Sequence, residues 1–306
     1  MINPWALLLL FVCIIAIVVC IPTIIHTIGY YKMRDVRKIT YNAHKDKKYA
    51  KSLLLQENNA PFRVIEGDVK DINQKDVFSF SLYGEREAYK KGTVRLIHDI
   101  CTHFPSWYAA LFISHDCPWL EYFRNMSNDK LLLFVVKDTI TKGSATGMFW
   151  RFLPLAYSPN RMFVLDVDDK LDHIMLNRVF SEWDKSNHQF VRVLQSNPSP
   201  WPKEHIHCAS WGMKGQTQPL FSQESITEVK NRQPYGIDEI WLSYNLRDHI
   251  SQLGILTGYP SIRSKFIYNH SYGKGWKKEK LIYIPFSNSK DPGDVTPDHF
   301  WEKHVT

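Results

Sequence analysis

The sequence predicts an α/β protein built on a doubly wound, mainly parallel sheet, preceded by one apolar membrane-spanning helix. Three observations carry this. From about residue 75 onward, short apolar runs of strand length alternate with longer amphipathic stretches, the pattern of successive βαβ units. One of those runs, Met162-Phe163-Val164-Leu165, is too short for an independent helix and ends in Asp166-Val167-Asp168. Acidic residues at the carboxyl end of a buried strand lie where open α/β sheets receive ligands. The third is at the amino end, where residues 1–31 hold no Lys, Arg, Asp or Glu and Trp5 to Ile25 is a nearly unbroken apolar run of twenty-one residues, long enough to span a bilayer.

In chain order, residues 1–31 are expected to form an uncleaved transmembrane anchor, since no basic start or small-residue cleavage site marks a signal peptide. Residues 32–74 read as a basic juxtamembrane stem. Eight Lys/Arg between 32 and 51, against Asp35 and Asp46, leave +6 of the chain's formal +7 in that segment. The rest is close to neutral, so the basic charge belongs beside the membrane and no nucleic-acid footprint is expected on the folded domain. The same charges predict that the part after the anchor faces the cytosol, because cytoplasmic flanks collect Lys and Arg. Asn125-Met126-Ser127 and Asn269-His270-Ser271 fit the glycosylation pattern and stand for the alternative, a lumenal type II arrangement. Cys101, Cys117 and Cys208 are far apart in sequence and make neither a disulfide framework nor a zinc spacing.

Residues 75–285 are predicted to be the folded domain. Val77 to Leu82 reads as a strand and Glu85 to Phe104 as a helix with Ala88, Ile97, Cys101 and Phe104 inward. Trp107 to Ile113, Leu131 to Val136 and Met162 to Leu165 read as strands, with helical stretches at Trp119 to Met126 and Ser144 to Phe152. Asp172 to Lys185 is predicted helical with Ile174, Leu176, Val179, Phe180 and Trp183 on its apolar side. Pro198, Pro200, Trp201 and Pro202 mark a loop. A helix at Ile237 to Ile250 and a strand at Lys265 to Tyr268 close the pattern, and 286–306 reads as a tail.

Two carboxylates one residue apart at a strand end can hold Mg²⁺ or Mn²⁺, leaving open positions for diphosphate oxygens. The bland reading is that Asp168, Asp169 or Asp172 caps the following helix.

With these stretches in place, the chain resembles the glycosyltransferases of the sugar-binding Asp-X-Asp type, a GT-A-like nucleotide-sugar transferase family. The likeness spans about residues 77–272. It rests on the order and spacing of Ser79 to Gly84 with Tyr89 and Gly92, Phe104 to Tyr108, Met148 to Pro154, Asp166-Val167-Asp168, Glu182-Trp183, Ser210 to Lys214, Tyr235 to Asp238 and His270. The resemblance implies a GT-A-like sheet and a metal-dependent transfer of a sugar from a nucleoside diphosphate donor to a glycan, lipid or protein acceptor. It places Leu82, Tyr83 and Gly84 beside the nucleotide, Arg151 on the donor's phosphates or sugar, Trp211 and Gly212 beside a sugar, and Asp238 at the acceptor as a candidate base. Asp166 and Asp168 would hold Mn²⁺ or Mg²⁺, with His270 as third ligand. Structural roles compete for several of these: a strand-ending turn at Tyr83-Gly84, a salt bridge for Arg151, a core position for Trp211.

The sequence departs from the family pattern at Leu165 and Asp169 around the acidic pair, at Leu194-Gln195, at Cys208-Ala209 where a glycine pair is expected, and at Glu239 in place of Gln. These departures support a second reading, a catalytically weak relative that binds a glycan or a partner at the membrane. A third, an Asp-X-Asp phosphatase, would want Thr or Val where Lys170 stands.

Overall fold

The computed structural model describes residues 42–43, 46–55, 60–138, 145–168, 171–193, 206–215, 219–230, 232, 236–247, 249–250, 255–260 and 279–284. The predicted anchor, the Pro198 to Pro202 loop, the Lys265 to Tyr268 strand, His270 and the tail lie outside these. Among the described residues no helix is long and apolar enough to cross a membrane.

The centre is a nine-stranded mixed sheet of order β1-β4-β3-β2-β5-β7-β6-β8-β9. Its middle strands are β2 (Asp76–Leu82), β3 (Trp107–Ser114), β4 (Leu131–Lys137) and β5 (Arg161–Val164), all parallel. β2, β3 and β5 are buried on both faces along most of their length, which is why the sequence shows them as near-continuous apolar runs rather than alternating ones. β1 (Arg63–Glu66) adds antiparallel at one edge. On the other side β7 (Trp211–Lys214) is inserted antiparallel between β5 and β6 (Phe190–Val193). β8 (Ile255–Pro260) and β9 (Glu279–Ile284) continue parallel to β6.

Each face carries its own core. On one, Phe78, Phe80 and Leu82 of β2 meet Leu96, Ile97 and Ile100 of α2 (Glu87–His103) and Leu176, Val179, Phe180 and Trp183 of α4 (His173–Asp184). Trp107 stacks on Phe180 with ring centroids 4.8 Å apart. On the other face, a 3-10 helix, Ala145–Ala156, covers the sheet beside α6 (Ile237–Asn245). Pro154 inside this 3-10 segment has no amide to give to an α-helical ladder, and Ser79 Oγ donates 2.7 Å to the Arg151 carbonyl, pinning the segment to β2. The remaining helices are α1 (Lys47–Leu54), α3 (Leu120–Arg124) and α5 (Gln223–Thr227).

Two sequence expectations change. The folded body begins before residue 75, since Ala50 and Leu54 of α1, Phe62, Val69 and Ile72 are buried in the same core as Phe134 and Trp150. Much of the predicted stem is therefore structure, and Lys47, Lys48 and Lys51 line the solvent side of the amphipathic α1 (Lys47–Leu54). Ile174, expected inward, is 40% exposed, because α4 turns Leu176, Val179 and Trp183 to the sheet instead.

Candidate active site at the strand-order reversal

β2 has β3 on one side and β5 on the other, so the strand order reverses between β2 and β5. In doubly wound sheets that crevice, at the carboxyl ends of the strands, is where ligands bind. Here β2 ends at Leu82 and runs into Tyr83-Gly84, and β5 ends at Val164 and runs into Leu165-Asp166-Val167-Asp168.

Two glycines let the surrounding backbone close on this point. A Cβ at Gly92 of α2 would stand 2.0 Å from the Val167 carbonyl oxygen, and one at Gly147 would stand 2.1 Å from Cδ1 of Tyr83. α2 therefore supports the acidic loop by direct backbone contact, and the 3-10 helix holds the Tyr83 ring, which also meets Trp150 edge to face.

Beneath the acidic loop lies Arg151, its side chain 4% exposed. One guanidinium arm donates to Asp166 and reaches the Leu165 carbonyl at 3.4 Å; the other donates 3.0 Å to Asp238 Oδ2, whose side chain is 1% exposed. A planar fork with opposed donors can bridge two carboxylates from two elements, which an ammonium cannot. Asp238 enters from the first turn of α6, whose N-cap Gly236 takes φ 81°, and the helix dipole favours acidic side chains there.

The carboxyl groups are pushed apart in acidity. Burial would raise Asp166, but the Arg151 and His207 charges outweigh it and hold this carboxyl below its ordinary value. Asp168 is raised, first by burial and then by the neighbouring Asp166 charge. Asp238 is raised by burial despite Arg151. Burial pushes the Glu239 carboxyl up to about 7, with His207 pulling down and Asp238 pushing up.

The structure thus brings Tyr83, Gly84, Arg151, Asp166, Asp168 and Asp238 to one crevice. Others are placed differently. Leu82 is fully buried in the core under α2. Trp211 is 1% exposed, stacked on Phe190 and tilted against Phe152, so it faces the core and not a sugar. Gly212 serves packing, since a Cβ there would stand 2.4 Å from the Met162 carbonyl oxygen. Arg151 and Asp238, expected at the donor and the acceptor, are both enclosed and bonded to each other. No third histidine, cysteine or acidic ligand joins Asp166 and Asp168 among the described residues.

Sequence reasoning missed His207. It leans over the site from the loop before β7, with Cys208 Sγ 3.7 Å from Asp166 Oδ2 and His207 Nε2 3.6 Å from Glu239 Oε1. Only the departures at Cys208 and Glu239 hinted at anything here.

No family model matches the chain, and no curated protein does. Among solved structures, it is similar to S. aureus TarS 1-349 in complex with UDP-GlcNAc (10% identity, TM-score 0.37, 74% of this chain and 64% of that one). It is also similar to Rv0371c of Mycobacterium tuberculosis H37Rv in complex with manganese (8% identity, TM-score 0.32, 70% of this chain and 90% of that one). The mannosyltransferase PcManGT of Pyrobaculum calidifontis, in complex with GDP-Man and Mn²⁺, is similar at 14% identity and TM-score 0.33, over 58% of this chain and 56% of that one. Likeness this distant assigns no reaction.

Proposed function

We propose that this chain transfers a glycosyl group from a nucleoside diphosphate sugar to an acceptor hydroxyl on a glycan, lipid or protein. The observation that supports this most is the meeting of Tyr83-Gly84 and Asp166-Val167-Asp168 at the point where the strand order reverses. The paired carboxylates form a hard oxygen donor set that suits Mg²⁺ or Mn²⁺, and Asp166 keeps 29% of its side chain exposed although Arg151 holds one oxygen. Such a cation, when bound, would neutralise charge on the departing diphosphate. Tyr83 and Gly84 border the nucleotide. Arg151 acts as a positioning residue, fixing the Asp166 carboxylate in its ionised form, and Asp238 acts through Arg151 by holding the guanidinium. His270 stays a candidate third ligand.

Anchoring by the Trp5 to Ile25 run, with the domain on the cytosolic side, belongs to the same proposal and rests on the flanking +6 charge. The second reading, a weak relative that binds without turnover, is favoured by one observation: Cys208 occupies the side of Asp166 that a glycine would leave open.

Thermal denaturation against a panel of nucleoside diphosphate sugars, with and without Mn²⁺, tests the proposal. One donor should raise the melting temperature only when the cation is present, since a ligand stabilises the state that binds it. No stabilisation by any donor would overturn the transfer reading; stabilisation without donor hydrolysis or transfer would establish the second.

A further inference from the structure

We propose that His207, Cys208 and Glu239 form a site for a thiophilic divalent cation of the Zn²⁺ class, separate from the Asp166–Asp168 pair. This does not rest on the transfer reading. A ring nitrogen of His207, the Cys208 sulfur and a Glu239 carboxylate oxygen lie within 4.8 Å of one another, two supplied by consecutive loop residues and the third by the first turn of α6. Zinc held at 2.0–2.3 Å by such atoms sets tetrahedral ligand separations of roughly 3.3–3.8 Å. A contraction of about 1 Å closes the set, and His207, with 44% of its side chain exposed, has room to make it.

The donor chemistry separates this site from its neighbour. Thiolate with imidazole selects Zn²⁺ over Mg²⁺ or Mn²⁺, whereas Asp166 and Asp168 offer hard oxygens alone. Four carboxyl groups gather at this place: Asp166 and Asp238 are bridged by Arg151, Glu239 faces His207 at 3.6 Å, and Asp168 follows Asp166 on the same loop. Asp238 keeps Oδ1 buried with no hydrogen-bond partner. A divalent ion would replace the thiol proton, which leaves to solvent, and the resulting thiolate, carboxylate and Zn²⁺ sum to zero. Three protein ligands leave a fourth position for water, beside Asp166.

Cobalt reports on thiolate ligation directly. Co²⁺ added to the full chain in detergent should give a near-ultraviolet sulfur-to-metal charge-transfer band at one equivalent, displaced by Zn²⁺. Cys208→Ser should abolish the band and His207→Ala should weaken Zn²⁺ binding at least tenfold in competition with a chromophoric chelator, while Asp168→Asn keeps both. If the serine variant does not fold, His207→Ala decides alone, because an exposed ring leaves the core intact. Absence of the band in the parent protein, its persistence in Cys208→Ser, or Zn²⁺ affinity lost in Asp168→Asn but kept in His207→Ala would each overturn the site.

Discussion

Replacing Arg151 by Lys keeps the charge and removes the fork. In the parent the two arms serve Asp166 and Asp238 on different elements, the second at 3.0 Å. A single ammonium reaches one carboxylate, and the other loses a charged hydrogen bond of about 1.5–3 kcal/mol. If the abandoned group is Asp238, 1% exposed, the loss approaches the 3–5 kcal/mol typical of a broken buried pair. For a folded body of this size that is a fall in melting temperature of roughly 3–20 °C. The deficit also has a pH signature. Asp238 is already raised, and a weaker partner raises it further; a folded-state acid with a raised pKa contributes a penalty that grows as pH rises through that value. The lysine variant should therefore recover toward the parent as pH is lowered. Calorimetry at several pH values, with donor titration at saturating Mn²⁺ on the same protein, separates the roles. Donor affinity should stay within about threefold of the parent. A parent-like melting temperature together with a tenfold or greater loss of donor affinity would show that Arg151 reads the donor.

Asp168→Ala should abolish Mn²⁺-dependent donor binding in titration calorimetry while the fold persists, and unchanged turnover would remove Asp168 from the metal site. In the parent, Mn²⁺ affinity should weaken on acidification at a higher pH than an ordinary carboxylate would set, because Asp168 is raised by burial and by Asp166. Gly92→Ala drives a methyl against the Val167 carbonyl oxygen, so it should cost about 1–3 kcal/mol in chemical denaturation and lower metal affinity by displacing the acidic loop; an undisturbed metal affinity would mean the loop yields freely. With chelator present, Glu239→Gln should raise the melting temperature more at pH 8 than at pH 5, since the parent carries a carboxyl pushed up to about 7 and is penalised above it. Glycosylation of Asn125, which is exposed at the end of α3, would appear in cells as an enzyme-sensitive mass shift and would place the domain in the lumen.

The sequence alone determined the elements whose signal is local. β2 to β5, α2 and α4 were visible because strands buried on both faces read as apolar runs, and helices packed on one side read at a 3.6 period. The acidic pair was visible for the same reason, as a polar break at the end of such a run. The stem was misjudged because a short amphipathic helix with a lysine-rich face has the composition of a solvated linker, and β6 and β7, four residues each, are too short to show a period. What only the tertiary structure decided is pairing across distance. Arg151 finds Asp238 eighty-seven positions away, and Cys208 reaches Asp166 across forty-two, because β7 folds back antiparallel beside β5 and α6 lays its first turn against the strand end. A sequence shows that a buried guanidinium must have partners; which carboxylates those are depends on chain topology, to which local periodicity is blind.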